Sequence, residues 1–435
     1  MIQGFVKIFS LKNSPRLNYI AEIILGDILG VSWEVITDKR KLGKHPVINY
    51  SSDNLPGSFK ISPDQILFER GISQKDLSIS DWNTLPVFFQ TSSDCDLPFD
   101  IFGASFFLVT RYEEYFDSER DEYGRFKSSF SVAWKNGFLK RPVIDLWARE
   151  LAKAFLKKFP TIAFRRNDYK ALMTIDTDQP FAYLGRNIFM SLGGFIHEKN
   201  GISRSVSNRY RVITKEQKDP YDVFDYMIGS IEKNNTDTKF FFPVGDRSRY
   251  DDNPSWKNDE YRKLIHKIAE KFPVGLHPSY LAGRENEAIN SEAKRLSTIL
   301  GKSISLSRFH YLRLFMPNSY LNAISAGISE DYSMGYPDEA GFRAGIARPY
   351  YFYDIINETR TNLMIVPFQI MDAALYNHKK LSPESAMDVI SGMINETRSA
   401  GGLFVSIWHN TTLLDDEKWR RWREVFEFTI INQKP

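Results

Sequence analysis

A single cysteine, Cys95, stands in this chain of 435 residues, which excludes an internal disulfide and any thiolate-rich zinc site. It lies in the polar stretch Ser93-Asp-Cys-Asp96 with no activating base beside it, so a nucleophilic thiol is not expected. An excess of one charge sign is also missing. The 57 Lys and Arg against 54 Asp and Glu leave +3, which points to neither nucleic acid nor a membrane surface as a partner. No stretch approaches the ~18 apolar residues of a membrane span. Met1 to Val31 does not read as a secretory signal, because Lys7, Lys12 and Arg16 break its first apolar stretch and Glu22 and Asp27 the second. A cytoplasmic location is therefore expected. Internal repeats and low-complexity tracts are absent as well.

What is present is material for a large core. Hydrophobic residues make up 42%, and the length suits two domains, or one large barrel with an appended domain. The 33 Phe and 21 Tyr fill cores and also line sites for flat ligands such as carbohydrates. The first part reads as mixed α+β. Gly4 to Ser10 is a strand, Ser14-Pro15 opens a helix running to about Leu29, and Val31 to Thr37 returns to strand. Asp100 to Tyr115 reads as one aromatic-rich helix, Asp117 to Arg125 as a loop and Arg141 to Lys158 as a helix. Phe164 to Tyr169 is the expected hinge, giving domains of 1–165 and 166–435.

Beyond the hinge, apolar strands alternate with amphipathic helices. The strand candidates are Ala171–Ile175, Lys239–Val244, Pro273–Leu276, Ile304–Ser307, Leu363–Val366 and Leu403–Trp408. Helices are expected at Tyr221–Lys233, Trp256–Lys271, Glu285–Leu300 and Ser382–Ser399. Such alternation predicts an α/β class with parallel strands, doubly wound or barrel-like. The basic excursion from Phe181 to Lys218 reads as a solvated loop, with a lid or an interaction surface as the alternative.

The chemistry concentrates at strand ends. Lys170-Ala-Leu-Met-Thr-Ile-Asp-Thr-Asp-Gln179 is an apolar run ending in Asp176 and Asp178, which share a face if the strand continues. Paired carboxylates there can divide a hydrolase's work, one holding a metal and the other taking a proton from water; an Asx turn is the alternative. Of seven histidines, His277, His310 and His409 fall at or just past strand ends, whereas His45, His197, His266 and His378 lie in polar or helical contexts and read as surface residues. Oxygen and imidazole ligands together suit Zn²⁺ or a similar divalent ion.

These motifs, in this order, resemble the polysaccharide deacetylases of the NodB-homology type (carbohydrate esterase family 4), in the two-domain bacterial branch with an N-terminal domain of unknown role. Thr174-Ile-Asp176-Thr-Asp178 resembles the first motif, Lys239-Phe-Phe-Phe242 the second strand, and Gly275-Leu-His277-Pro-Ser-Tyr280 the histidine motif. Ser307-Arg308-Phe-His310-Tyr311 is similar to the strand carrying an arginine, and Ile407-Trp408-His409-Asn410 to the closing motif. Leu97 to Phe102, Ser105 to Tyr115, Asp331 to Gly335 and Gly341 to Gly345 fit the same branch. The resemblance implies a deformed (β/α) barrel and a zinc-dependent carbohydrate deacetylase, a hydrolase of non-peptide amide bonds. Asp176 would act as base, Arg308 would orient it, and His409 would act as acid. Asp178 and His277 would be metal ligands. The family's second metal-binding histidine falls four residues after the first, where this chain has Leu281, which cannot ligate. His310 is the expected substitute, ahead of Ser279 and Tyr280. Substrate and partners would be an N-acetylated carbohydrate and proteins of polysaccharide biosynthesis. Two other readings remain at this stage: a catalytically silent carbohydrate-binding or scaffold protein, which Leu281 favours, and a metal-free glycosidase using Asp176.

Overall fold

Two sheets organise the chain, whose computed structural model describes residues 4–116, 119–185 and 208–435. The first is all-parallel and four-stranded: β1 (Phe5–Phe9), β2 (Ser32–Ile36), β3 (Val47–Asn49) and β4 (Phe59–Lys60), in the order β2-β1-β3-β4. The Ser14 side chain accepts from the Leu17 N–H and caps the helix Pro15–Ala21, with proline in the first turn. The chain then continues as the π-helical Glu22–Ile28, close to the expected end. A short antiparallel pair follows, β5 (Ser80–Trp82) with β6 (Leu85–Val87).

The helix expected over Asp100 to Tyr115 is shorter than the sequence implies. Asp100 caps Ile101–Val109, all nine residues of which are buried. Arg111 then adopts φ 55, and a 3-10 turn, Tyr112–Tyr115, follows. Turning the backbone there brings the fully buried Arg111 guanidinium to Glu114, Glu113, the Tyr336 hydroxyl and the Arg343 carbonyl. Arg343 in turn grips Glu114 through two parallel hydrogen bonds of 2.9 and 2.5 Å. Burial pushes the Glu114 carboxyl up, but Arg343 and Arg111 outweigh it and hold the group at about 2.

The second sheet has nine strands: β7 (Lys170–Asp176), β8 (Thr238–Phe242), β9 (Val274–Leu276), β10 (Leu306–Ser307), β11 (Glu330–Asp331), β12 (Tyr350–Asp354), β13 (Thr359–Ile365), β14 (Ile370–Met371) and β15 (Leu403–His409). Their order is β12-β13-β11-β10-β9-β8-β7-β15-β14, parallel except for the β12–β13 pair. The alternation with helices is as expected, at Phe224–Lys233, Asp259–Ala269, Asn286–Leu300 and Pro383–Ala400. Three strands were not anticipated. β11 and β14 have two residues each, too few for a periodic signal, and β12 is the antiparallel edge. One contiguous apolar cluster, from Val6 to Ile430, runs beneath both sheets. Among the described residues no helix is long and apolar enough to cross a membrane. Most of the excursion from Phe181 to Lys218, including His197, lies outside the described residues.

Candidate active site

Parallel pairing puts all carboxyl ends of the central strands on one edge, and the polar residues following those ends converge. Register sets His409 directly opposite Asp176. Asp176 closes β7, His277 follows β9, Arg308 and His310 follow β10, and Asp372 follows β14. The β7–β8 ladder ends at Thr177, whose N–H and hydroxyl both donate to the Phe241 carbonyl. Asp178 is nonetheless carried into the same cleft of about 440 Å³ that Asp176, His277, His310 and His409 line. That volume suits a small ligand.

Each imidazole is oriented by a partner at its inner nitrogen. His277 Nδ1 meets the Arg308 carbonyl, which can only accept, so Nδ1 carries a proton and Nε2 faces into the cleft. That Nε2 lies 3.0 Å from Asp178 Oδ1, a buried oxygen that no protein group hydrogen-bonds. His310 Nδ1 is 2.9 Å from Asp251 Oδ1, leaving its Nε2 3.5 Å from Asp178 Oδ2. Asp251 is itself fixed by the Tyr280 N–H and the Ser248 hydroxyl. One ligand atom each from Asp178, His277 and His310 can be chosen with all three within 4.8 Å of one another. Ligand atoms that face a common point, with an orphaned carboxylate oxygen among them, fit a divalent cation such as zinc.

The electrostatics agree. Burial pushes Asp178 up, but the charge of His310 and the close His277 and His310 rings outweigh it and hold the carboxyl well below its usual range. Burial lowers His310, whereas Asp178 and Asp251 raise it further, to about 9. A cation in this place would displace such protons. His409 stands on the other side. Its Nδ1 is 2.6 Å from Asp372 Oδ1, and Asp372 also accepts from the His409 N–H and the Thr412 hydroxyl. Burial lowers His409, but Asp372 dominates and brings it to about 10. Its Nε2 is 3.9 Å from Asp176 Oδ2 and 3.7 Å from Asp178 Oδ2.

Arg308 is fully buried rather than a surface ion-pair residue. Nη1 donates to Asp176 Oδ1 at 2.9 Å and Nε to the Tyr332 carbonyl at 3.0 Å. Its guanidinium lies 4.7 Å from the Phe241 ring centroid and 6.0 Å from that of Phe368. Glycines make room for both rings: a Cβ on Gly275 would fall 2.6 Å from Phe241, and one on Gly335 2.3 Å from Phe368. After His310 the backbone runs through two left-handed residues, Tyr311 (φ 58) and Leu312 (φ 55), a conformation that costs about 1–3 kcal/mol per residue. Trp408 is packed in the core.

Other outcomes differ from the sequence reading. Leu281 is 49% exposed in the turn Leu281–Gly283 and does not line the cleft. His378, expected as a plain surface residue, is exposed yet lines the cleft beside Asn377. Glu122, Tyr123 and Arg125 form another wall from the N-terminal half. Their loop is docked where the Tyr123 carbonyl accepts from Tyr280 and Arg313, with Tyr123 stacked on Tyr311 at 4.9 Å. Asp251 and Asp372 went unnoticed in the sequence. Gln369-Ile-Met-Asp372 does show the apolar-then-acid pattern that marked Asp176, in miniature.

A family model described only as a family of unknown function, DUF7033, matches residues 6–160. No curated protein matches the chain. Among solved structures the chain is similar to a provisionally assigned polysaccharide deacetylase from Mycobacterium smegmatis, at 14% identity and TM-score 0.40, covering 61% of this chain and 84% of that one. It is similar to a CE4 family pseudoenzyme from Bacillus anthracis, at 8% identity and TM-score 0.31, covering 62% of each. A third is a peptidoglycan N-acetylglucosamine deacetylase, at 11% identity and TM-score 0.31, covering 61% and 86%. Superpositions this loose carry no functional argument.

Proposed function

We propose that this chain is a metal-dependent hydrolase that removes N-acetyl groups from an amino sugar or saccharide precursor, on a NodB-type deformed barrel of residues 166–435 with residues 1–165 as an N-terminal domain. The observation that carries the reading is the convergence of Asp176, Asp178, His277, His310 and His409 on one cleft, with three imidazoles oriented from behind and a cluster of ligand atoms in front.

Asp178, His277 and His310 would hold the ion, which when bound supplies Lewis-acid polarisation of a carbonyl and acidifies water near it. Arg308 donates to one Asp176 oxygen and fixes the carboxylate in one orientation, so its free oxygen serves as general base toward an attacking water. Asp372 keeps His409 protonated at neutral pH and aims Nε2 into the cleft, where it can give its proton to the departing sugar amine. Base and acid acting together require Asp176 without a proton and His409 with one. Tyr311 and Tyr123 offer ring faces on which a sugar can rest.

The test is acetate release from N-acetylglucosamine and its short oligomers by the full chain. Release that stops on chelation and returns with added zinc supports the proposal. Stoichiometric zinc with no release from any N-acetylated sugar would favour the silent binding protein, and chelator-indifferent cleavage of a glycosidic bond would favour the glycosidase.

A further inference from the structure

The four-stranded sheet carries a cleft of its own. In the order β2-β1-β3-β4 the chain winds outward from β1 to β2 on one side and from β3 to β4 on the other. Loops leaving β1 and β3 therefore part from each other, and in open parallel sheets the crevice they leave at the carboxyl ends is where ligands sit. A cleft of about 290 Å³ opens at this place. Its polar lining is Ser10 and Lys12 after β1, Ser51 and Ser52 after β3, and Ser62 and Gln65 after β4.

The floor is rigid. Tyr50 is fully buried, and its hydroxyl donates to Asp100 Oδ2 at 2.6 Å. Asp100 also accepts from the N–H groups of Asp64, Phe102 and Gly103. The Ser10 hydroxyl donates to the Lys12 carbonyl and that of Ser51 to Asn49 Oδ1, which pins the two diverging loops. Above this floor the donors are unspent. The backbone N–H groups of Leu11, Lys12, Ser51, Ser52 and Ser62 have no acceptor among the described residues. Lys12 is the one charged side chain in the lining, and no carboxylate joins it. Leu11, 54% exposed, and the partly buried Phe68 add an apolar margin.

We propose that this cleft binds a small molecule bearing a phosphate or carboxylate group, the anion taken by the unpaired backbone N–H groups, the Ser52 and Ser62 hydroxyls and Lys12, and the remainder resting on Leu11 and Phe68. Concave sets of free backbone N–H groups favour anions, and a lysine adds a charge-assisted bond. The site is independent of the catalytic cleft.

Titration calorimetry of the full chain tests it, with inorganic phosphate, acetate and glucose as separate probes in metal-free buffer. Phosphate or acetate should bind with a Kd of about 1 mM or tighter, and their ranking tells phosphate from carboxylate. Lys12→Glu, at an exposed position, should weaken the anion at least roughly tenfold, equivalent to about 1.4 kcal/mol. Ser62→Leu should weaken it too, whereas His277→Ala in the other cleft should leave it unchanged. No binding of either anion, a preference for glucose, or loss on His277→Ala with Lys12→Glu unaffected would each overturn the proposal.

Discussion

Carboxylates in the two sheets meet opposite fates. Asp178, beyond the end of β7, is driven up by burial, yet two imidazoles within 3.5 Å outweigh that and keep it ionised far down the pH scale. Asp100, beneath the carboxyl ends of the four-stranded sheet, is driven up by burial to about 6, although a tyrosine hydroxyl and backbone N–H groups oppose the rise. Cations outweigh desolvation; neutral donors offset only part of it. The same contrast separates the clefts. One gathers groups that exchange charge and protons, the other hydroxyls and backbone amides around a single lysine. Parallel topology places a cleft at each edge, and the residues after each strand end decide what it can do.

The largest effect that would break this contrast concerns Asp176. Asp176→Asn should keep bound zinc and the fold but lower turnover by roughly 10²–10⁴-fold, the usual worth of a general base; unchanged acetate release would remove Asp176 from that role. Next is the ion network that ties the two regions together. Arg343→Met leaves Glu114 with only Arg111 as its close cationic partner, and breaking such a buried pair costs about 3–5 kcal/mol. Urea unfolding should show that loss in one transition, since both sheets share one apolar cluster. Two separate transitions would mean that the regions are energetically independent.

A smaller effect separates a ligand from its support. Asp251→Asn keeps His310 in place but weakens its orientation, so zinc affinity should fall by roughly 10–100-fold without loss of the fold. The smallest is a slope. The Asp100 carboxyl is raised in the folded chain, so its contribution to stability is complete below the ordinary value of 3.8 and is lost as pH rises through about 6. Asp178 is lowered, and its contribution is present above 3.8 and lost as pH falls further. In the metal-free chain, Asp100→Asn should flatten the decline of the urea midpoint between about pH 4 and 6. Asp178→Asn should instead reduce the loss of stability toward acid. Identical profiles for both variants would erase the distinction between the two environments.

Much of the candidate site's edge was legible because short apolar runs ending in a polar group leave a signature of both burial and strand end. Asp176, His277 and His409 stood out that way, whereas Arg308 came only from the resemblance of its motif. Asp372 was hidden because β14 has only two residues, and Asp251 because it sits in a polar loop among other acids. The break at Arg111 was hidden for a different reason. Local propensity continues the helix, and only the distant partners Tyr336 and Arg343 make the left-handed turn worthwhile. Leu281 stands at the spacing of a ligand that it cannot be; the fold turns it to solvent, and His310, the expected substitute, approaches Asp178 from the next strand.

Zinc titration of the metal-free full chain bears most directly on the proposed three-residue cation site. Wild-type protein should take up about one ion per chain, Asp178→Ala, His277→Ala and His310→Ala should each lose affinity by roughly two orders of magnitude or more, and Leu281→Ala should match wild type. Undiminished zinc binding in His310→Ala together with Asp178→Ala would contradict the account.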